Sequence, residues 1–315
     1  MLDPQAKSLL DLIAEKGLPP MQSLSPVEAR TYYRDRRSLT QPAPQEVASV
    51  VDREGPVVDG RAVPLRCYRQ LGSEAGTALP CLVFFHGGGW TIGDLDTHDT
   101  LCRELANAAG IAVVAVDYRM GPEHPFPAAV DDCIAATRWV AEQAATLSID
   151  ASRLAVGGDS AGGNLAAVVA IALRDARHVP KLRFQLLAYP QTDMRNGHPS
   201  HAANGTGFLL ETETIAYYHR HYLGDDPAVR LDPRASPLLA SDLSRLPPAL
   251  VVTAGFDPLR DEGLAYADRL SAAGVPTAYA CFERQIHGFL PMGRAIGEAN
   301  TAVALCAAAL RRALS

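Results

Sequence analysis

One stretch constrains this chain more than any other: Gly157-Gly158-Asp159-Ser160-Ala161-Gly162-Gly163. It follows an apolar run, Leu154-Ala155-Val156, and precedes a helix-like run from Asn164 to Leu173. Ser160 is therefore expected where a strand turns sharply into a helix. Gly158-x-Ser160-x-Gly162 is the elbow pattern that holds a serine in a strained backbone conformation with its hydroxyl exposed. Glycine on both sides removes Cβ atoms that would clash in so tight a turn. The same letters also describe a glycine-rich turn with a bystander serine, and only the rest of the chain distinguishes the two.

From Cys81 onward, apolar runs recur at Cys81–Phe85, Ile111–Val116, Leu154–Gly157, Arg183–Ala188, Leu250–Thr253 and Thr277–Phe282. Most are continuous, as parallel strands buried on both faces are. Helix-like segments alternate with them: Thr97–Ala109, Pro127–Ala145, Ser160–Ala176, Pro258–Ala273 and Arg294–Leu314. The alternation predicts an α/β fold with a mostly parallel sheet covered by helices on both sides. Val57–Gly60 and Ala62–Arg69 read as an antiparallel hairpin before it. Two helices precede any strand. The first covers residues 3–16, and the second starts at the capping box Ser25-Pro26-Val27-Glu28. The interval Thr192–Pro248 breaks the rhythm and is too long for bare loop. It carries a helix-like stretch, Glu211 to Tyr222, and is expected to fold over the strand ends.

A chain of 315 residues with this pattern reads as one domain, with a core that needs neither disulfide nor metal. The net charge of −6 leaves no basic footprint for nucleic acid and disfavours anionic membrane surfaces. The start, Met1-Leu2-Asp3-Pro4, lacks a basic region followed by an apolar run, so no signal peptide is expected. Leu165–Leu173 and Ala302–Leu310 are too short to span a bilayer. Six scattered cysteines form no Cys-x-x-Cys pair and read as buried free thiols in a reducing cytoplasm. No metal site is expected, because His-Glu-x-x-His is absent and His219 and His221 fall on different helix faces.

A serine needs a base to become a nucleophile, and histidine is the usual one. Of nine histidines, His287 stands apart. It lies in a loop just beyond the last strand candidate, where open α/β sheets gather their sites. His178, His198 and His201 lie in polar, turn-rich sequence. Asp257 follows the strand Leu250–Thr253 in the same way and could orient the imidazole. An aspartate before Pro258 also suits a helix cap, and Asp261 and Glu262 are nearby rivals within the following helix. The run His86-Gly87-Gly88-Gly89-Trp90 leaves backbone N–H groups uncovered, as an oxyanion hole requires. It lacks either glycine pattern of a phosphate-binding loop. His86 is expected to brace this loop by hydrogen bonds.

With these elements assembled, the chain resembles the hormone-sensitive lipase family of α/β-hydrolases, especially its bacterial esterases. The likeness rests on His86-Gly87-Gly88-Gly89-Trp90, Gly158-Asp159-Ser160-Ala161-Gly162, Asp117-Tyr118-Arg119 with Pro122-Glu123, Asp257-Pro258-Leu259-Arg260-Asp261-Glu262-Gly263 and His287-Gly288-Phe289. It covers about Leu79 to Leu290. Gly121, where many members have alanine, is a minor departure. The resemblance implies an α/β-hydrolase fold with a helical cap contributed by residues about 1–45 and 192–248. It implies a triad of Ser160, His287 and Asp257, with oxyanion donors on Gly88, Gly89 and Ala161. It implies hydrolysis of a small carboxylic ester of short or medium acyl chain, without a cofactor, and it admits a homodimer along the edge of the last strand. Trp90, Phe208, Leu209 and Ile215 are candidates for the pocket wall, or else for ordinary cap packing. An amidase or deacetylase using the same machinery, and a non-catalytic small-ligand receptor, are the other readings.

Overall fold

The computed structural model describes residues 1–176 and 181–315, so His178 lies outside the described residues. Eight strands form one sheet in the order β1-β2-β4-β3-β5-β6-β7-β8. They are β1 Ser49–Val58, β2 Arg61–Arg69, β3 Leu79–Phe85, β4 Ala112–Val116, β5 Ile149–Asp159, β6 Phe184–Ala188, β7 Ala249–Phe256 and β8 Thr277–Ile286. β2 runs antiparallel to β1 and β4, and every other pairing is parallel. The predicted parallel sheet is thus observed. Its central strands β4 and β6 are buried along their whole length, which is why their sequences are unbroken apolar runs.

The helices are α1 Pro4–Glu15, α2 Pro26–Thr40, α3 Asp99–Ala109, α4 Ala128–Glu142, α5 Ala144–Leu147, α6 Ala161–Asp175, α7 Pro199–Ala203, α8 Thr212–Leu223, α9 Arg260–Ala272 and α10 Gly297–Leu314. Two cores flank the sheet. One joins α4, α6 and α9 through Val130, Cys133, Leu165, Val169 and Leu270. The other joins α3 and α10 through Leu101, Leu105, Val303 and Leu310, and Ala6 of α1 belongs to it. Among the described residues no helix is long and apolar enough to cross a membrane.

Chain order reverses between β3 and β5: β4 lies on one side of β3 and β5 on the other. The loops leaving the carboxyl ends of β3 and β5 therefore diverge and open a crevice, the place where such sheets bind ligands.

α2 begins at the capping box read from the sequence, with Ser25 and Glu28 each holding the other's backbone. It is tied down by Arg30, whose guanidinium donates to Thr91 O and Gly121 O at 2.8 Å each and to both oxygens of Glu123. Thr214 of α8 donates to Gln22 Oε1 at 2.8 Å, so the N-terminal segment also meets the inserted one.

Glu104 sits on the inner face of α3 at 9% exposure. Burial alone raises its carboxyl to about 7, against an ordinary value of about 4.3. In the unfolded chain the proton leaves near that ordinary value. In the fold it is retained until about 7, so this group costs stability progressively as pH rises between the two. Glu104→Gln is expected to raise the thermal midpoint at pH 8 and leave it unchanged at pH 4. Thermal unfolding at both values checks this, and an equal offset at both would refute the assignment.

Candidate active site

Ser160 closes the turn between β5 and α6 with φ 56° and ψ −117°, a strained region for any side-chain-bearing residue. The turn is tight because the chain passes hard against β3. A Cβ on Gly162 would lie 1.9 Å from the Phe85 carbonyl oxygen, so only glycine fits. Ser160 N–H donates to Ala188 O at 2.8 Å, and Asn164 N–H to Ser160 O at 3.0 Å. The hydroxyl is not used in holding this backbone.

β8 continues to Ile286 and delivers His287 directly at its carboxyl end. His287 Nε2 lies 2.9 Å from Ser160 Oγ, and Nδ1 lies 2.7 Å from Asp257 Oδ2. A carboxylate facing Nδ1 draws the ring N–H there and leaves Nε2 with a lone pair toward the serine. Asp257 follows β7 and is fully buried. Its Oδ1 accepts from Leu259 N–H at 2.8 Å, which closes a turn ahead of α9; Leu259, not Asp257, holds the cap position of that helix. α7 and the residue after it clamp this loop. Asn204 donates to Gly255 O at 3.2 Å and Asp257 O at 3.1 Å. Ser200 Oγ donates to Pro258 O at 2.6 Å.

The rival acids face elsewhere. Asp261 accepts from Ser200 N–H at 2.8 Å and pairs with Arg260. Glu262 is fully buried, accepts from Thr192 N–H at 2.6 Å and pairs with His201 at 2.8 Å. Burial holds its carboxyl above the ordinary value against that partner.

The glycine loop leaves β3 beside the serine turn, since Phe85 is in register with Gly158. His86 Nδ1 lies 2.8 Å from Gly87 O, its ring stacks on Tyr118 at 4.3 Å, and the Tyr118 hydroxyl donates to His86 O at 2.6 Å. Burial first, and His98 second, bring His86 down to about 4, so it remains a neutral brace. Gly88 and Gly89 have φ 124° and 57°. Among the described residues the N–H groups of Gly88, Gly89 and Ala161 meet no acceptor in loops or turns. A Cβ on Gly89 would fall 2.2 Å from the ring of Tyr218, so α8 roofs the loop with an aromatic face.

The pocket candidates are spread out. Trp90 is 1% exposed and stacks flat on Tyr222 at 4.5 Å. Phe208 packs on Phe256 at 5.0 Å, and Leu209 is 38% exposed. Ile215 is buried with Leu210 and Leu259, against Tyr218. Sequence reading did not single out Tyr189, whose ring lies 4.8 Å from that of His287. It follows β6, so the strand-end rule that selected His287 would have found it. Asn204 and Ser200 carry no local signal, because their partners lie more than fifty residues away.

The model of the alpha/beta hydrolase fold family matches residues 82–291. The chain is 41% identical over 318 residues to an ethyl acetate hydrolase of Pseudomonas putida, covering 99% of each. It is 47% identical over 278 residues to the carboxylic ester hydrolase LipN of Mycobacterium tuberculosis, covering 87% of this chain and 73% of that one. The chain belongs to the hormone-sensitive lipase family of α/β-hydrolases. Its structure overlays that of an ester hydrolase from the metagenome of Lake Arreo, solved with a bipyridine phosphonate derivative, at a TM-score of 0.94 and 43% identity over 99% of both chains. As a member of this family it is a carboxylesterase, an enzyme of the serine-hydrolase type.

Proposed function

We propose that this carboxylesterase cleaves esters of short- to medium-chain acids through an acyl-enzyme on Ser160. The observation that carries the proposal is the unbroken chain of contacts from Ser160 Oγ to His287 at 2.9 Å and from His287 to Asp257 at 2.7 Å. His287 Nε2 takes the serine proton as Oγ attacks the ester carbonyl carbon. The carbonyl oxygen becomes an oxyanion, and the free N–H groups of Gly88, Gly89 and Ala161 stabilise it. The imidazolium then gives its proton to the leaving alcohol. A water deprotonated by the same nitrogen attacks the acyl carbon, releases the acid and restores the serine. Asp257 fixes the imidazole tautomer and offsets its positive charge in both halves.

Residues about 1–45 and 192–248 serve as the cap over this site. Tyr218 above Gly89 and Tyr189 beside His287 support a confined acyl space, as does the name of the ethyl acetate hydrolase relative. The six unpaired cysteines, four of them buried, suit a reducing cytoplasm.

A series of p-nitrophenyl esters from acetyl to palmitoyl, run beside one anilide and one long-chain triglyceride, tests the reading. kcat/KM is expected to peak between acetyl and octanoyl, with the anilide and the triglyceride far slower. A maximum on the palmitoyl ester or on the triglyceride would make the chain a lipase. An anilide cleaved as fast as the esters would make it an amidase.

A further inference from the structure

The residue before the nucleophile poses an electrostatic problem. Asp159 is 4% exposed at the end of β5. Its Oδ1 accepts from Gly87 N–H at 2.9 Å, and Oδ2 lies so close that a Cβ on Gly87 would come within 2.4 Å of it. The carboxylate thus holds the first glycine of the oxyanion loop. A buried negative charge there also opposes the negative charge that catalysis must build next to it. Among the described residues no lysine or arginine pairs with it, and its partner is His98.

His98 stands just before α3 and is 1% exposed. Its Nε2 is 3.2 Å from Asp159 Oδ1, within ion-pair reach though off line for a hydrogen bond. Its Nδ1 is 3.1 Å from Thr97 Oγ1. That hydroxyl donates to Asp94 O and accepts from Asp94 N–H, each at 2.8 Å. Its one proton is committed, so it presents a lone pair to His98. Each ring nitrogen therefore has an oxygen beside it, Thr97 Oγ1 at Nδ1 and Asp159 Oδ1 at Nε2. Burial pushes the Asp159 carboxyl up, and His98 foremost, with Gly87 N–H, brings it below the ordinary value.

We propose that His98 is a positioning residue for ester cleavage: it packs its ring nitrogen against Asp159 and fixes that carboxylate, which in turn holds Gly87 and keeps the glycine loop aimed at Ser160. The proposal rests on the reading of Gly88 and Gly89 as oxyanion donors. His98 touches neither substrate nor serine in this scheme. Its effect passes through a carboxylate and a backbone N–H.

The test compares wild type with His98→Phe, which keeps a ring and removes both nitrogens, and His98→Gln, whose amide reaches toward Asp159. For p-nitrophenyl butyrate, His98→Phe is expected to lower kcat by about 10²-fold, the scale of one misplaced oxyanion donor, with KM nearly unchanged. Inhibition by phenylboronic acid, which forms a tetrahedral anion on the serine, should weaken by a similar factor. His98→Gln should recover a substantial part of both losses. A lower thermal midpoint with kcat and boronate inhibition unchanged would overturn the proposal and leave His98 a packing residue. Should His98→Phe not fold, Asp159→Leu must show the same kcat loss, because it removes the acceptor that holds Gly87 N–H, and wild-type kcat in that variant would also overturn the proposal. Absence of ester turnover or of boronate inhibition in the wild type would instead refute the underlying assignment of the oxyanion hole.

Discussion

Ser160→Ala is expected to lower kcat for a p-nitrophenyl ester by about 10⁵–10⁶-fold, the scale seen when a triad serine is removed. The thermal midpoint should move little. Ser160 Oγ makes one hydrogen bond, to His287 Nε2, and such a bond contributes about 1 kcal/mol, or less than about 4 °C in a chain of this size. The backbone that shapes the turn is held by Ser160 N–H and Ser160 O, which alanine retains. Alanine also has the same Cβ, so the strain at φ 56° is neither relieved nor increased. The measurement is paired: initial rates, and circular dichroism with thermal unfolding. Near-wild-type turnover would end the proposed mechanism. Lost turnover with a collapsed midpoint would show that the serine supports the fold, and would leave its chemistry to trapping of the acyl-enzyme in the wild type.

The elbow was legible because its constraint is local. Glycine at 158 and 162 answers a clash within the turn itself, and the flanking apolar runs announce strand and helix. His287 and Asp257 were legible for a different reason: a parallel sheet sends every strand's carboxyl end to the same side, so following a strand candidate is enough to nominate a residue. The limits of the elements were less legible where the sheet meets solvent. β1 begins at Ser49, well before the hairpin read from Val57, and β8 runs on through Glu283, Arg284 and Gln285. Edge strands tolerate polar residues, so the end of an apolar run does not mark the end of pairing. What could not be read were contacts closed by tertiary structure. Asn204 on the Asp257 loop, Tyr189 beside His287, Tyr218 over Gly89 and His98 against Asp159 join segments whose spacing carries no periodic signal. Trp90 shows the converse. Its place beside the glycines says nothing of which way its ring turns, and the ring lies flat on Tyr222.

Asp257→Asn is expected to lower kcat by about 10⁴-fold, while Asp261→Asn, four residues along, changes it by only a few-fold. The difference follows from which oxygen of Asp257 does what. Oδ1 accepts from Leu259 N–H at 2.8 Å, and Oδ2 faces His287 Nδ1 at 2.7 Å. An asparagine must keep its carbonyl toward Leu259 N–H, since an NH₂ there would oppose another donor in a fully buried site. Its NH₂ is then turned on His287 Nδ1 and requires that nitrogen to accept. The ring proton moves to Nε2, which now presents N–H to the Ser160 hydroxyl and can no longer take its proton. The fold is preserved and the base is disabled, so kcat falls with little change in KM. Asp261 has no such link. Its carboxylate is engaged by Ser200 N–H and Arg260 on the far side of the loop, and an amide oxygen still accepts from Ser200. Steady-state kinetics of both variants decide the matter, and a larger loss for Asp261→Asn would move the acid of the triad. Raising the pH should not rescue Asp257→Asn, because the misplaced proton sits on a neutral ring held by a hydrogen bond.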